Sequence, residues 1–170
     1  MSHSAYYSAV LDRPAREVWN VVRDFNSYPI WVNGVDDSHI EDDLSGTTVG
    51  CVRNFAIRGS RTRQRLWAHS DSRRYLTYEG CGPFRLEVDG AARTIGHYKG
   101  TLRITPIVAD DHSFAEWSSR YECSAGDADF WADWWDRSLP EWMSSLRDHL
   151  SRTGTGSPEA TSGGMTCEQG

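Results

Sequence analysis

Residues 128–150 read ADFWADWWDRSLPEWMSSLRDHL. Trp131, Trp135, Leu139, Trp142, Leu146 and Leu150 recur at spacings of three and four, which places them on one stripe of a long helix. Pro140 lies inside that stretch. It lacks an N–H and its ring crowds the preceding turn, so a kink or a split into two helices is expected there. A helix with this much aromatic surface needs a cover, and the preceding residues supply one. From Val35 onward the apolar period changes to two. Candidate strands are 35–41, 49–58, 62–70, 74–81, 94–107 and 113–123, punctuated at LSG 44–46, GS 59–60, DSR 71–73 and ADD 109–111. The short link after 49–58 predicts a hairpin with 62–70. Residues 82–93, GPFRLEVDGAAR, read as a longer, less regular connection able to cover an opening.

Further out, residues 4–11 (SAYYSAVL) form a first strand. Pro14 then suits the start of a helix, because its missing N–H costs nothing there. Ala15, Val18, Trp19, Val22 and Phe25 make that helix amphipathic, with Arg16, Glu17, Arg23 and Asp24 towards water. Asn26, Ser27 and Pro29 break it, leaving room for one more turn over Tyr28 to Val32. The economical architecture is α+β: a curved antiparallel sheet of seven strands wrapped around the final helix, with two short helices after the first strand. Residues 1–150 form that domain. Residues 151–170 contain no Ile, Leu, Val, Phe, Tyr or Trp and are expected to be a disordered tail.

Composition narrows the function classes. The chain has 170 residues, 38% hydrophobic and 25% charged, with a formal net charge of −6. That charge disfavours general nucleic-acid binding, which rests on a basic surface. No run approaches the roughly 18 apolar residues of a membrane span. The N-terminus lacks the basic and apolar blocks of an export signal, and Cys51, Cys81, Cys123 and Cys167 are scattered like reduced thiols. A cytoplasmic protein is the expectation. His3, His39, His69, His97, His112 and His149 have no metal-ligand spacing. Neither GxGxxG nor GxxxxGK[ST] occurs, so no metal and no cofactor is predicted. Eight tryptophans, four of them between 131 and 142, suit the wall of an apolar cavity and also suit plain core.

Several segments together resemble the START/Bet v 1-like (SRPBCC) superfamily in its bacterial polyketide cyclase/dehydrase branch. They are RPAREVWNVVRDFNSYPIW at 13–31, VGCVRNF at 49–55, RQRLWAHSDSRRYLTYEG at 63–80, YKGTLRITPI at 98–107 and SFAEWSSRYEC at 113–123. VGCVR and the YKG strand are also similar, more distantly, to the plant abscisic-acid receptors. The resemblance implies a helix-grip fold with a cavity between sheet and helix. It does not imply one activity, since such families include cyclases, carriers, receptors and adaptors.

Strand parity assigns the inward face. Arg61, Arg63 and Arg65 belong to the solvent face, which turns Thr62, Gln64 and Leu66 inward. Leu76, Tyr78 and Gly80 share a face, as do Gly96, Tyr98, Gly100, Leu102 and Ile104. Ala115, Trp117, Ser119, Tyr121 and Cys123 share another. Phe55 and Ile57 look inward and Arg53 goes with them; the resemblance implies that Arg53 reaches the cavity. A buried guanidinium needs a partner, either a ligand oxyanion or a protein carboxylate such as Glu41 or Asp43. Arg53 and Gln64 are the candidates for holding an oxyanion, and Tyr78 and Tyr98 for supplying a proton. Phe55, Ile57, Thr62, Leu66, Leu76, Gly100, Trp117, Ser119, Tyr121, Trp131, Trp135 and Trp142 are the expected ligand contacts. The small glycines leave space, and Trp134, off the stripe, belongs to the rim or a partner surface. The acids Asp36, Asp37, Glu41, Asp42 and Asp43 read most simply as a solvated edge. They could also pair with Arg58, Arg61, Arg63 and Arg65 within the molecule or across a homodimer.

The sequence therefore predicts a protein that binds a hydrophobic, aromatic or polyketide-like small molecule, with cyclisation or dehydration as its activity if it has one. A non-catalytic carrier or sensor needs the same cavity. A protein–protein adaptor would instead fill that space with Trp131, Trp135 and Trp142.

Overall fold

The computed structural model describes residues 1–154. Strand β1 (Ser2–Leu11) leads into helix α1 (Ala15–Val22) and the single turn α2 (Tyr28–Trp31). Strands β2 (Val35–Ile40), β3 (Val52–Ile57), β4 (Ser60–Ser70) and β5 (Tyr75–Gly80) follow. Then come β6 (Phe84–Val88), β7 (Ala91–Ile107), β8 (His112–Cys123) and the long helix α3 (Ala128–Thr153). The strands form one antiparallel sheet in the order β1-β8-β7-β5-β4-β3-β2, with β6 paired to β7 beside that path. Helix α3 packs against β1, β8 and α2, so sheet and helix cover each other as their apolar faces require.

Each predicted strand is present, with ends shifted by up to three residues. The connection 82–93 is more regular than its composition suggested. It holds an eighth strand, β6, turned onto β7 through Asp89 and Gly90, whose φ values are +51° and +76°. Two successive left-handed residues make a tight turn whose twist matches the flanking strands, and Asp-Gly favours it. Arg58 and Gly59, at +48° and +78°, turn β3 into β4 the same way.

Helix α1 begins on the Pro14 carbonyl, which accepts from the amides of Glu17 and Val18. Ala15, Val18, Trp19 and Val22 are buried. The indole of Trp19 and the guanidinium of Arg23 both donate to Asp71, at 2.8–2.9 Å, and so tie α1 to the turn between β4 and β5. Those bonds hold the Asp71 carboxyl down at about 2. Helix α3 continues unbroken through Pro140, which neither splits it nor ends it. It also continues through Ser151, Arg152 and Thr153, residues expected in the tail. Residues 155–170 of that tail, with Cys167, lie outside the described residues.

Among the described residues no helix is long and apolar enough to cross a membrane, and no group of three or more His, Cys, Asp or Glu could hold a metal ion. The acidic edge is partly neutralised inside the molecule. Arg61 grips Asp37 and Arg63 grips Glu41 at 2.6–2.8 Å, on the outer face of the sheet. Two of the acids read as freely solvated are therefore paired, because strands β2, β3 and β4 bring them opposite the arginine face.

Candidate ligand-binding cavity

Between the inner sheet face and α3 lies a cavity of about 40 Å³. Its sheet side is made by Phe55 and Ile57 of β3, Thr62 and Gln64 of β4, Tyr78 of β5, Tyr98 of β7 and Trp117 of β8. Alternation puts them there: Thr62, Gln64 and Leu66 are buried while Arg61, Arg63 and Arg65 face water. Trp135 and Trp142 of α3 close the other side.

The polar groups of the sheet side form a connected chain. The Arg53 guanidinium, on a residue 1% exposed, donates to the Phe25 carbonyl at 2.6 Å and to Gln64 Oε1. With its oxygen turned to Arg53, the Gln64 amide nitrogen donates to the Tyr98 hydroxyl at 3.2 Å. Thr62 Oγ1 shares a hydrogen bond with the same hydroxyl at 3.1 Å. Beside this chain the Trp117 indole N–H donates to the Tyr78 hydroxyl at 2.9 Å. Neither Glu41 nor Asp43 is a hydrogen-bonding partner of Arg53. Glu41 is taken by Arg63, and Arg53 lies between aromatic faces, 3.4 Å from the Tyr28 ring centre and 3.8 Å from that of Phe25. The π-faces and neutral oxygens thus stabilise the buried cation in place of the protein carboxylate that was one of its two expected partners. Burial pushes the Tyr78 phenol well above its ordinary range and raises that of Tyr98, so both stay neutral donors around pH 7.

Gly80 and Gly100 do leave space, and the tyrosines fill it. A Cβ on Gly100 would collide with the Tyr78 ring, and one on Gly80 with the Tyr98 ring. Tyr78 and Gly100 are direct cross-strand partners. A shift in register between Ile95 and His97 reverses parity at the start of β7, so Ile95 is buried against the cavity and Gly96 is exposed.

The structure brings Phe55, Ile57, Thr62, Gln64, Tyr78, Tyr98, Trp117, Trp135 and Trp142 to the cavity surface. Leu66, Leu76 and Trp131 are buried in the surrounding core, and Arg53 stands one side chain behind Gln64. Ser119 bonds the Lys99 carbonyl, and Tyr121 stacks on His3 and lies against Trp135. Tyr28, Val32, Phe84, Ile95 and Trp134 also border the cavity and were not foreseen. Two of these had legible signals. Phe84 follows from the Asp-Gly hairpin, which turns FRLEV into a strand. Trp134 is 7% exposed and packs edge-on to Trp135 at 4.9 Å, so it belongs to the cavity wall, not to a partner surface. The apolar face of α3 is wide enough to include it.

Six of the eight indoles divide into two kinds. Trp19, Trp31 and Trp117 each donate to a side-chain oxygen. Trp131, Trp135 and Trp142, all on α3, have buried Nε1 atoms without a hydrogen-bond partner.

A model of the family described as "Polyketide cyclase / dehydrase and lipid transport" matches residues 2–154. No curated protein matches the chain. Among solved structures, a protein from Nitrosospira multiformis superposes with a TM-score of 0.71 at 22% identity, covering 88% of this chain and 99% of its own. XoxI from Bacillus cereus gives 0.72 at 19% identity, covering 90% and 99%. Truncated norcoclaurine synthase from Thalictrum flavum gives 0.66 at 11% identity, covering 93% and 96%. At these identities the likeness is one of fold.

Proposed function

This chain belongs to the polyketide cyclase / dehydrase and lipid transport family, and from that premise we propose that it takes up a hydrophobic, aromatic or polyketide-like molecule between its sheet and α3. The observation that carries this reading is the Arg53–Gln64–Tyr98 chain, a buried cation relayed to a phenol on the wall of an otherwise apolar cavity. Such a chain gives an otherwise apolar cavity the few fixed polar groups by which ligand pockets orient a bound molecule.

Cyclisation and dehydration suit these residues. When an enol carbon of a folded chain attacks a carbonyl carbon, charge develops on that carbonyl oxygen. A neutral phenol held by Gln64, with a guanidinium one residue behind it, stabilises that charge. Tyr98 is the group for this role: Gln64 donates to its oxygen, and with Thr62 as the donor in their shared hydrogen bond the phenol keeps its own proton to give. Tyr78, which accepts from Trp117, is the second donor. The resulting hydroxyl can leave as water together with a neighbouring C–H proton. A carrier or sensor would use the same contacts without the chemistry.

A volume of 40 Å³ holds a water molecule or two, and a drug-sized ligand needs roughly 300 Å³ or more. Uptake therefore displaces indole rings. Trp134 is placed for this, because it also borders an outer groove with Leu86, Val88 and Phe130. The same small volume favours a second reading, a filled core in a protein-contact module. Native mass spectrometry with tryptophan fluorescence titration separates them. Saturable quenching by aromatic or polyketide-like compounds supports the pocket, and product in the same tubes makes it an enzyme. A flat response across a broad panel supports the filled core.

A further inference from the structure

An aromatic wall needs no polar atoms, and phenylalanine would build one at no hydrogen-bonding cost. Helix α3 instead sets two buried indole N–H donors, those of Trp135 and Trp142, on side chains that border the cavity and lack any acceptor. An unpaired buried donor is destabilising, because it gives up its hydrogen bond to water and gains none in return. The other polar groups on the cavity surface, Thr62, Gln64, Tyr78 and Tyr98, are already engaged with one another, with Arg53 or with Trp117. None of them accepts from the indoles of Trp135 or Trp142.

Resting on the cavity reading above, we infer that the indole N–H groups of Trp135 and Trp142 are recognition donors for the ligand. The site thereby selects molecules with carbonyl, ether or phenolate oxygens on the side facing α3, over hydrocarbons of the same shape. Ammonium groups, which bring donors and no acceptor to a donor-only wall, are disfavoured by the same logic. The tryptophans of α3 then do more than shape a product: they determine which oxygens a ligand must carry. Trp131 is an internal control, since its N–H is equally unpaired but the ring does not border the cavity.

The test uses the full chain and two bicyclic probes of matched skeleton, 1-tetralone and tetralin. Indole N–H resonances are followed in proton–nitrogen correlation spectra and assigned with Trp135→Phe and Trp142→Phe. Tetralone is expected to move the Trp135 or Trp142 indole proton downfield and to leave Trp131 in place, whereas tetralin produces no downfield shift. In the double Phe variant the ratio of tetralone to tetralin affinity is expected to fall about fivefold, the equivalent of one net hydrogen bond. If tetralone moves Tyr98 and its strand neighbours while both indole protons stay put, or if the ratio is unchanged in the variant, the inference is overturned and the cavity reading stands. If neither probe moves any resonance, the cavity reading fails and the inference with it. The wild-type spectra decide the matter even where a variant does not fold.

Discussion

The two walls of the cavity are built on different physics. On the sheet wall the hydroxyls, the amide and the guanidinium hold one another: Tyr78 to Trp117, Tyr98 to Gln64 and Thr62, Arg53 to Gln64 and Phe25. The rings of Tyr78 and Tyr98 also sit against Gly100 and Gly80, where no other residue fits. On the helix wall Trp134, Trp135 and Trp142 meet edge to face, at 4.9–6.2 Å, by ring contacts. Moving a sheet-wall group breaks hydrogen bonds in a dry site. Moving a helix-wall ring exchanges one set of dispersion contacts for another. The first wall is fixed in geometry and the second is adaptable, which is how a cavity of 40 Å³ can belong to a ligand-binding family.

That contrast can be broken by substitution. Arg53→Ala should have the largest effect, a loss of about 3 kcal/mol of stability in urea unfolding, because it opens a cavity between Tyr28 and Phe25 and orphans two acceptors. A smaller loss, equal to that of an exposed arginine, would show that the sheet wall is not held by this residue. Gly100→Ala should cost about 2 kcal/mol through overpacking against Tyr78. Comparing Trp117→Phe with Trp142→Phe isolates the hydrogen bond. The ring change is the same, but only Trp117 loses a partner, so it should be worse by about 1 kcal/mol. Equal losses would erase the distinction between the walls. The smallest expected effect is electrostatic and lies away from the cavity. Asp71, held at about 2 by Arg23 and Trp19, has a lower carboxyl pKa folded than unfolded. Its contribution is complete above about pH 5 and is lost as pH falls through the folded value. Asp71→Asn should therefore flatten the decline of melting temperature between about pH 4 and pH 2.

Much of this was legible in the chain. Alternation in RTRQRL placed Thr62, Gln64 and Leu66 inside, and the three-four spacing on α3 named most of its buried rings. What escaped the sequence has specific causes. Parity across β7 failed at Ile95 because a bulge inserts one residue, and no local composition marks it. The partner of Arg53 was expected to be a ligand oxyanion or a protein carboxylate, whereas the fold supplies π-faces from Phe25, just after α1, and from Tyr28 of α2, both separated from β3 in sequence. Pro140 does not split α3, since the packing of that helix on the sheet and α2 outweighs one missing hydrogen bond. The unpaired state of the α3 indoles depends on what lies opposite each N–H, and only the three-dimensional arrangement records that.

The tryptophan contacts also have an optical consequence. Trp31, Trp117, Trp142 and Trp134 form an unbroken series of neighbouring rings that branches at Trp134 to Trp135 and Trp131, from the 5.7 Å pair Trp31–Trp117 to the 5.5 Å pair Trp131–Trp134. Chromophores this close share excitation. Light absorbed anywhere along the series is emitted from its lowest-energy member, and the near-ultraviolet circular dichroism is a property of the array. Rotating one indole on ligand uptake would alter the spectrum of all six, so the protein carries its own broadband reporter of cavity occupancy.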